Sequence, residues 1–513
     1  MLVRDSAGVE GAVENESGHG RRTAVGTLKL LAVQALVLAT GLLIATFLTR
    51  QLGPELYGLY TVAATIVIWT ELSASLMFNQ TTVKFLAEAA DWQAVASMLT
   101  QAQLLVSLGA AALLVAAAPV LSSWLRSPEL ATYLRLFGLE VPIFALACVH
   151  RATLIGRGAF GRGALVSAAH WLSRLALVLL LVGLGLSLIG AILASIGASL
   201  VQLVVARVFV QPALLSRGAF PTRRLAGYAL PLFFYTMGMR LFSQLDLLVV
   251  KALGGTLAAA GYYGAAQNLT IVPLGLFAAS LSPPLLATLT RLLRQGQGEV
   301  ARTMIGQAMR LVLCLLPFAG LAAGAAPEIV NLVYGSPFSP AAPLSALLIF
   351  AALAITLIGV TTAILTAAGR PGWTFALTGP LVPLALGAHL VLVPRFGPVG
   401  AAAATTALAW LGAGLTTLAV YRQCGVIPAP ATILRTTLTT LIAYVLSSAW
   451  HTSGAWVILE LSGMTAVIVT CLFLLGELTG RDLAFARSLF IKESDRILPT
   501  SGEEVNWQLW MKR

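Results

Sequence analysis

Long apolar stretches separated by short polar gaps dominate the chain from Thr27 to Gly476. Each stretch is roughly 18–25 residues long, which is the length that an α-helix needs to cross a bilayer. Segments such as Leu175–Gly185 are apolar on every side, which favours helices over the alternating strands of a membrane barrel. The pattern predicts about fourteen membrane-spanning helices, at 27–49, 58–79, 96–118, 132–154, 163–184, 187–210, 226–250, 262–287, 304–326, 342–367, 373–393, 398–420, 432–450 and 454–476.

Glycine and proline mark most of the gaps between these spans. The pairs Gly53-Pro54 and Gly397-Pro398 are typical turn signals. Inside the ninth span, Gly320 and Gly324 lie four residues apart, and such a pair predicts close packing against another helix.

The composition excludes an ordinary soluble protein. Of the 513 residues, 58% are hydrophobic and only 10% are charged, whereas a soluble domain carries about 25% charged residues. Residues 1–26 are the exception, since they are polar, glycine-rich and of mixed charge, and they predict a disordered tail. The first apolar run, Thr27–Thr49, is too long for the apolar region of a signal peptide, so we expect it to remain as the first span.

The basic residues indicate the orientation of the chain. The net charge is +12, but Lys and Arg sit at helix ends without an aromatic-interleaved patch, which argues against nucleic-acid binding. If the N-terminus is cytoplasmic, 24 of the 32 Lys and Arg residues fall on the cytoplasmic side and 5 on the outer side. Because short cytoplasmic loops are enriched in Lys and Arg, this separation predicts an even number of spans and two cytoplasmic termini.

A short internal repeat joins two pairs of spans. Residues 50–53 (RQLG) precede Gly58-Leu59-Tyr60, and residues 251–254 (KALG) precede Gly261-Tyr262-Tyr263. Six predicted spans separate the copies, so both have the same orientation, and an axis along the membrane normal relates them. The repeat predicts two pseudo-symmetric six-helix lobes plus two C-terminal helices. The predicted boundaries are a disordered cytoplasmic tail 1–26, an N-lobe 27–210, a cytoplasmic linker 211–225, a C-lobe 226–420, two extra helices 421–476 and a cytoplasmic tail 477–513.

One segment carries a family resemblance. Residues 47–65 (FLTRQLGPELYGLYTVAAT) resemble the first helix–loop–helix unit of polysaccharide-biosynthesis membrane proteins. These are the Wzx-like oligosaccharide flippases of the multidrug/oligosaccharidyl-lipid/polysaccharide (MOP) exporter superfamily. Residues 244–246 (QLD) with 261–268 (GYYGAAQN) resemble the counterpart in the second lobe. The number of spans, the cytoplasmic termini and the chain length agree with this family along the whole chain.

The resemblance implies a transporter that works by alternating access between two lobes. Its substrate would be a polyprenyl-pyrophosphate-linked oligosaccharide, moved from the inner to the outer leaflet of a bacterial inner membrane for cell-surface polysaccharide biosynthesis. The implied partners are this glycan lipid, the surrounding membrane lipids, H⁺ or Na⁺ as a coupling ion, and glycan polymerase or export machinery. No cofactor is implied. A peptidoglycan lipid-precursor flippase and a multidrug/cation antiporter of the same superfamily remain alternatives.

Charged residues inside the predicted spans are the main functional candidates, because each costs about 2.5–3.5 kcal/mol to insert at the bilayer centre. A side chain at that cost usually faces a cavity or a partner of opposite charge. The candidates are Glu71, Glu140, Arg174, Arg240, Asp246, Arg310 and Glu460.

The arginines predict an anionic substrate. Arg174 has His170 one turn earlier, and Arg240 has Gln244 one turn later, so each pair shares a helix face. Guanidinium groups bind phosphate bidentately, and we therefore expect these four residues and Arg310 to contact the pyrophosphate. The alternative is an arginine–carboxylate pair that only holds helices together.

Two carboxylates, Asp246 and Glu71, are predicted to couple transport to H⁺ or Na⁺, because a carboxyl group in a low-dielectric cavity can hold a proton. For Asp246 the alternative is a salt bridge near the outer interface with Lys251.

Catalysis has little support in the sequence. The chain contains no HExxH, GxSxG or phosphate-binding loop motif, so we predict a protein that is not an enzyme and has no catalytic or metal-binding residues. A membrane glycan polymerase or transferase, from a different functional class, would need a folded loop that carries carboxylates, and the gaps here are too short for one. A non-transporting assembly scaffold would tolerate the loss of every buried arginine.

Overall fold

The computed structural model describes residues 6–88, 91–212, 245–253, 255–450, 452, 454 and 456–477. Helices are the only regular secondary structure in this part of the chain, which confirms the predicted all-α fold. Eight of its segments are long and apolar enough to cross a membrane, so the chain is a multi-pass membrane protein. The chain divides into two compact units, one made of Met1–Leu276 with Val382–Ala401 and the other of Phe277–Leu381 with Ala402–Arg513.

The first unit contains the N-terminal helices, which pack side by side. Its helices are α1 (Ser6–Glu88), α2 (Trp92–Trp124), α3 (Leu130–Phe137), α4 (Glu140–Gly156), α5 (Phe160–Leu181) and α6 (Ser187–Phe209), followed by a helical segment at 245–252. The first part of α7 (Leu257–Arg294) also belongs to this unit. Helices α1, α4, α5 and α6 contact one another, and this group places the charged residues described below.

The second unit contains the remaining helices. They are α8 (Gly298–Leu313), α9 (Leu316–Gly324), α10 (Ala326–Tyr334), a 3₁₀ turn (Ser336–Ala341), α11 (Ala342–Ala367), α12 (Pro371–Thr378), α13 (Leu381–Cys424), α14 (Pro430–Ala449) and α15 (Trp456–Leu474). Residues 382–401 of α13 belong to the first unit.

Glycines with positive φ divide the longest helical stretches into pairs of spans. Gly53 (φ 69°) breaks α1, Gly185 (φ 88°) lies in the π turn between α5 and α6, and Gly397 (φ 60°) breaks α13. Glycine adopts such a φ without the strain that a Cβ would cause. The three breaks coincide with gaps between the predicted spans. The eight candidate segments thereby cover eleven of the predicted spans, and α7 and α14 coincide with the eighth and the thirteenth.

Helix α1 is described from Ser6 onwards, and the predicted disordered tail 1–26 stays a prediction. The predicted boundary between the lobes, at 211–225, falls almost entirely in 213–244, outside the described residues, as does the tail after Glu477. The division into two lobes therefore remains a prediction.

The two copies of the internal repeat cross each other within the first unit. A Cβ placed on Gly58 would lie 1.8 Å from the Leu257 carbonyl oxygen, and a Cβ on Gly261 would lie 2.2 Å from the Pro54 carbonyl oxygen. Backbones can approach this closely only where side chains are absent. The repeated glycine therefore marks the contact between α1 and α7.

In the second unit, the glycine pair of α9 packs against α14. A Cβ on Gly320 would lie 2.5 Å from the Thr440 carbonyl oxygen, and one on Gly324 would lie 2.6 Å from the Tyr444 carbonyl oxygen. Ser447 Oγ donates to the Leu321 carbonyl oxygen at 3.0 Å. The interpretation of this pair as a helix-packing motif is confirmed.

Candidate functional site

A group of charged and polar side chains lies inside the first unit, between α1, α4, α5 and α6. We call it the buried charge cluster, and define it as Tyr60, Glu71, Glu140, His170 and Arg174. Tyr60 and Glu71 lie on α1, Glu140 begins α4, and the other two lie on α5. The spacing of four residues between His170 and Arg174 puts both on one face of α5, as the sequence predicts.

Arg174 is held mainly by aromatic groups. Its Nη2 donates to the Tyr60 hydroxyl at 3.1 Å, and its guanidinium lies 5.6 Å from the centre of the Trp171 ring. The Nε atom is buried and has no hydrogen-bond partner. The direct partner is thus a neutral hydroxyl rather than a carboxylate, so the guanidinium keeps its charge and part of its donor capacity available for an anion.

Glu140 is a fully enclosed carboxylate with neutral donors. The residue is 4% exposed, and Ser199 Oγ on α6 donates to its Oε1 at 2.8 Å. Ser195, one turn earlier on α6, adds a second hydroxyl that favours the charged form of Glu140. These hydroxyls offset part of the desolvation cost of the carboxyl group without neutralising its charge.

Glu71 completes the cluster from α1. It is 6% exposed, and its Oε1 has no hydrogen-bond partner. It interacts electrostatically with Glu140 and with Arg174. The ring of His170 is buried, and its Nδ1 has no hydrogen-bond partner. The cluster thus combines two carboxyl groups, one guanidinium and one imidazole in a largely buried space.

Asp246 forms a second buried site in the same unit, at the start of the helical segment 245–252. It is 1% exposed. Its Oδ2 accepts from the Tyr263 hydroxyl at 2.6 Å, and its Oδ1 accepts from Gln267 Nε2 at 2.8 Å and from the Leu247 amide at 2.9 Å. His389, on the part of α13 that belongs to this unit, interacts electrostatically with the carboxylate.

The alternative that Asp246 pairs with Lys251 is not what the structure records. The Nζ of Lys251 donates to the Gly255 carbonyl oxygen at 3.2 Å, whereas Asp246 accepts from Tyr263 and Gln267 of α7 and from the Leu247 amide. One turn of α7 places Tyr263 and Gln267 on the same face, and this face receives the carboxylate.

The other predicted contacts lie elsewhere. Arg310 lies on α8 in the second unit. Arg240 and Gln244 lie outside the described residues. Among the residues that the structure describes, no group of three or more His, Cys, Asp or Glu side chains could hold a metal ion.

The sequence did not predict the neutral partners of Arg174 and Asp246. Tyr60 and Tyr263 are the last residues of the repeated motif and occupy equivalent positions in its two copies. Tyr60 contacts Arg174, and Tyr263 contacts Asp246. The repeat therefore contained a signal for these tyrosines, since each copy offers a hydroxyl to one buried charge.

A family model described as "Polysaccharide biosynthesis protein" matches residues 47–343 of the chain. A search of curated proteins finds no match.

Three solved structures show similar folds. "Lipid II flippase MurJ, inward closed conformation" superposes with a TM-score of 0.68 at 16% identity, over 92% of this chain and 100% of that chain. An inward-facing MATE-family multidrug resistance transporter of the MOP superfamily gives 0.56 at 15% identity, over 78% and 98%. The Vibrio cholerae MATE transporter VcmN in the bent form gives 0.51 at 14% identity, over 79% and 99%. At these identities the likeness concerns the fold.

Proposed function

Because the chain belongs to the polysaccharide biosynthesis protein family, we propose that it is a flippase for a polyprenyl-pyrophosphate-linked oligosaccharide. The family and the solved neighbours are transporters and flippases rather than enzymes. In this proposal the lipid moves from the inner to the outer leaflet of a bacterial inner membrane by alternating access, and it supplies cell-surface polysaccharide biosynthesis. Both termini lie in the cytoplasm, and a glycan polymerase or export machinery receives the product.

The observation that carries the proposal is the environment of Arg174. A guanidinium within a predicted span is costly, yet its direct hydrogen-bond partner is the neutral hydroxyl of Tyr60. A residue that served only to pair helices would be expected to bond a carboxylate directly. A pyrophosphate offers several acceptor oxygens to the remaining donors of Arg174. His170, one turn away on the same face, extends the polar surface towards the substrate.

The remaining residues of the predicted site enter the proposal as further contacts. Arg240, Gln244 and Arg310 would bind the pyrophosphate in other steps of the transport cycle. Asp246 and Glu71 would couple transport to H⁺ or Na⁺, since both are carboxylates within the membrane-spanning part and almost fully buried.

Two transporters of the same superfamily are the rival functions. A flippase for a peptidoglycan lipid precursor is favoured by the likeness to the lipid II flippase fold. A multidrug/cation antiporter shares the MATE fold, and the two carboxyl groups of the buried charge cluster would suit an organic cation when both are ionised. An anionic lipid fits the cluster through the donors of Arg174, and it fits better when the carboxyl pair holds a proton.

The proposal is tested by deleting the gene in its own host and profiling polyprenyl-linked lipids by mass spectrometry. We expect one pyrophosphate-linked glycan to accumulate, and its mass identifies the cargo. An unchanged lipid profile together with new sensitivity to cationic drugs would favour the antiporter instead.

Complementation of the deletion strain tests Arg174 itself. We expect Arg174→Ala to restore less than about a tenth of the wild-type flux, because the loss of a charged hydrogen bond to phosphate costs about 1.5–3 kcal/mol. Arg174→Lys should restore an intermediate flux, since lysine keeps the charge but loses the bidentate geometry. Arg135→Ala is the matched control, because Arg135 is an exposed arginine of α3 in the same unit. Full transport by both Arg174 variants at normal protein levels would contradict the phosphate contact.

A further inference from the structure

The charges of the buried charge cluster do not balance. With both carboxyl groups ionised, Glu71 and Glu140 carry two negative charges against the one positive charge of Arg174. Glu140 accepts a hydrogen bond from the neutral hydroxyl of Ser199, and Glu71 Oε1 has no hydrogen-bond partner. In a low-dielectric space an uncompensated negative charge is costly. The geometry therefore favours a state in which the pair holds a proton.

In the same arrangement, the two carboxylates repel an anionic substrate. Glu71 and Glu140 both interact electrostatically with Arg174, which is the residue that a pyrophosphate would use. A phosphate that approaches Arg174 meets the attraction of one guanidinium and the repulsion of two carboxylates. Removal of one negative charge from the pair would strengthen the attraction.

We propose that Glu71 and Glu140 form a proton-binding pair, and that uptake of a proton by this pair is linked to binding of a diphosphate at Arg174. The inference rests on the proposed function, because it needs an anionic lipid at Arg174. It adds Glu140 to the residues considered for coupling, and it specifies the coupling ion as a proton bound near the substrate.

The sign of the linkage follows from charge. A bound diphosphate adds negative charge beside the pair and engages the guanidinium, and both effects favour the protonated carboxyl group. By reciprocity, a proton on the pair strengthens diphosphate binding by the same factor. Affinity for the diphosphate should therefore rise as the pH falls, and binding should take up protons from the solution.

The surrounding helices carry other titratable groups. Helix α2 has none in its sequence. Among the side chains that the structure describes, the others contribute Arg50, Glu55, Tyr57 and Tyr60 from α1, Tyr133 and Arg135 from α3, Cys148, His150 and Arg151 from α4, Arg162 and His170 from α5, and Arg207 from α6. Histidine is the side chain whose unperturbed titration lies nearest to neutral pH, and of His150 and His170 only the latter belongs to the buried charge cluster, so His170 is the main competitor for the pH effect. The experiment therefore needs variants that separate His170 from the carboxyl pair.

The experiment measures binding of a short-chain prenyl diphosphate sugar to the full-length protein in lipid nanodiscs by calorimetry. This probe is a diphosphate diester that stays fully ionised from mildly acidic to mildly alkaline pH, so the probe itself does not titrate. For the wild type we expect affinity to increase about fivefold or more towards acidic pH. Repeating the titration in buffers with different ionisation enthalpies should reveal net proton uptake on binding.

Variants show whether the carboxyl pair or His170 binds the proton. In the double variant Glu71→Gln/Glu140→Gln we expect the probe to bind tightly at mildly acidic and at mildly alkaline pH, without proton uptake. His170→Gln should keep the pH dependence of the wild type. Glu129→Gln is the matched control, because Glu129 is an exposed carboxylate of the same unit, and it should behave as the wild type.

Three results would overturn the inference. They are a wild-type affinity that does not depend on pH, a pH dependence that survives in the double Gln variant, and an affinity that follows Na⁺ concentration at constant pH. The wild-type measurement needs no variant, so it stands even if a variant is unstable. Absence of probe binding by the wild type at every pH would instead overturn the proposed function, and this inference with it.

Discussion

At the scale of single residues, the function of this chain depends on how a few buried charges are paired. The sequence identifies Arg174, Glu71 and Asp246 because charges stand out in apolar spans. It does not identify their neutral partners, because tyrosine and serine are common in membrane helices and carry no comparable cost. Tyr60 lies 114 residues before Arg174 along the chain, and only packing of α1 against α5 brings the two together.

Tyr263 provides a test at this scale. Its hydroxyl donates to Asp246 Oδ2 at 2.6 Å, in a buried position. Replacement of Tyr263 by Phe removes a donor from a buried carboxylate, which should lower the free energy of unfolding by about 2 kcal/mol. Denaturant unfolding in detergent measures the change.

The matched control for Tyr263→Phe is Tyr421→Phe, since Tyr421 is an exposed tyrosine near the end of α13. It should leave the stability within about 0.5 kcal/mol of the wild type. Equal stabilities of the two variants would show that the bond to Asp246 contributes nothing.

At the scale of helices, glycine decides where spans end and where they touch. Gly53 and Gly397 break long helices at the turns predicted from the sequence. Gly58 and Gly261 instead lie where α1 and α7 cross, and Asn268 Nδ2 adds a bond to the Tyr57 hydroxyl at 2.9 Å beside this crossing. The repeat pattern pointed to these glycines, but their reciprocal contact is visible only in the folded unit.

Alanine at the crossing tests this contact. A methyl group on Gly58 or Gly261 would overlap a carbonyl oxygen of the other helix, so the backbones must separate. We expect Gly58→Ala and Gly261→Ala each to lower the free energy of unfolding by about 3 kcal/mol. Chemical unfolding followed by tryptophan fluorescence measures the loss.

Gly109→Ala serves as the control for the crossing variants. Gly109 lies inside α2, and a Cβ there meets no atom within 4 Å. Because alanine has a higher helix propensity than glycine, this change should be neutral or slightly stabilising. A similar response from all three alanine variants would argue that the crossing is not tightly packed.

At the scale of the whole molecule, the main prediction from the sequence is the orientation of the chain in the membrane. The distribution of Lys and Arg predicts cytoplasmic termini and an even number of spans. In that topology Arg395, in the turn before Gly397, faces the outer side, whereas Arg370, before α12, faces the cytoplasm. Both residues are exposed, so they suit a labelling experiment.

Single cysteines at these two positions test the topology in whole cells. The background lacks Cys148, Cys314, Cys424 and Cys471. We expect a membrane-impermeant maleimide to label Arg395→Cys in intact cells and to label Arg370→Cys only after permeabilisation. The reverse pattern would mean that the chain is inverted, and labelling of both from outside would mean that the number of spans between them is wrong.

That this protein is helical and crosses a membrane, and where most of its spans end, can be predicted from its sequence. These properties depend on short stretches of chain, since hydropathy and the conformational freedom of glycine act over a few residues. Which polar groups meet depends on the folded structure. Arg174 bonds to Tyr60, Glu140 to Ser199, and Asp246 to Tyr263, because the rotation and crossing of packed helices, rather than spacing along one helix, bring such groups within bonding distance.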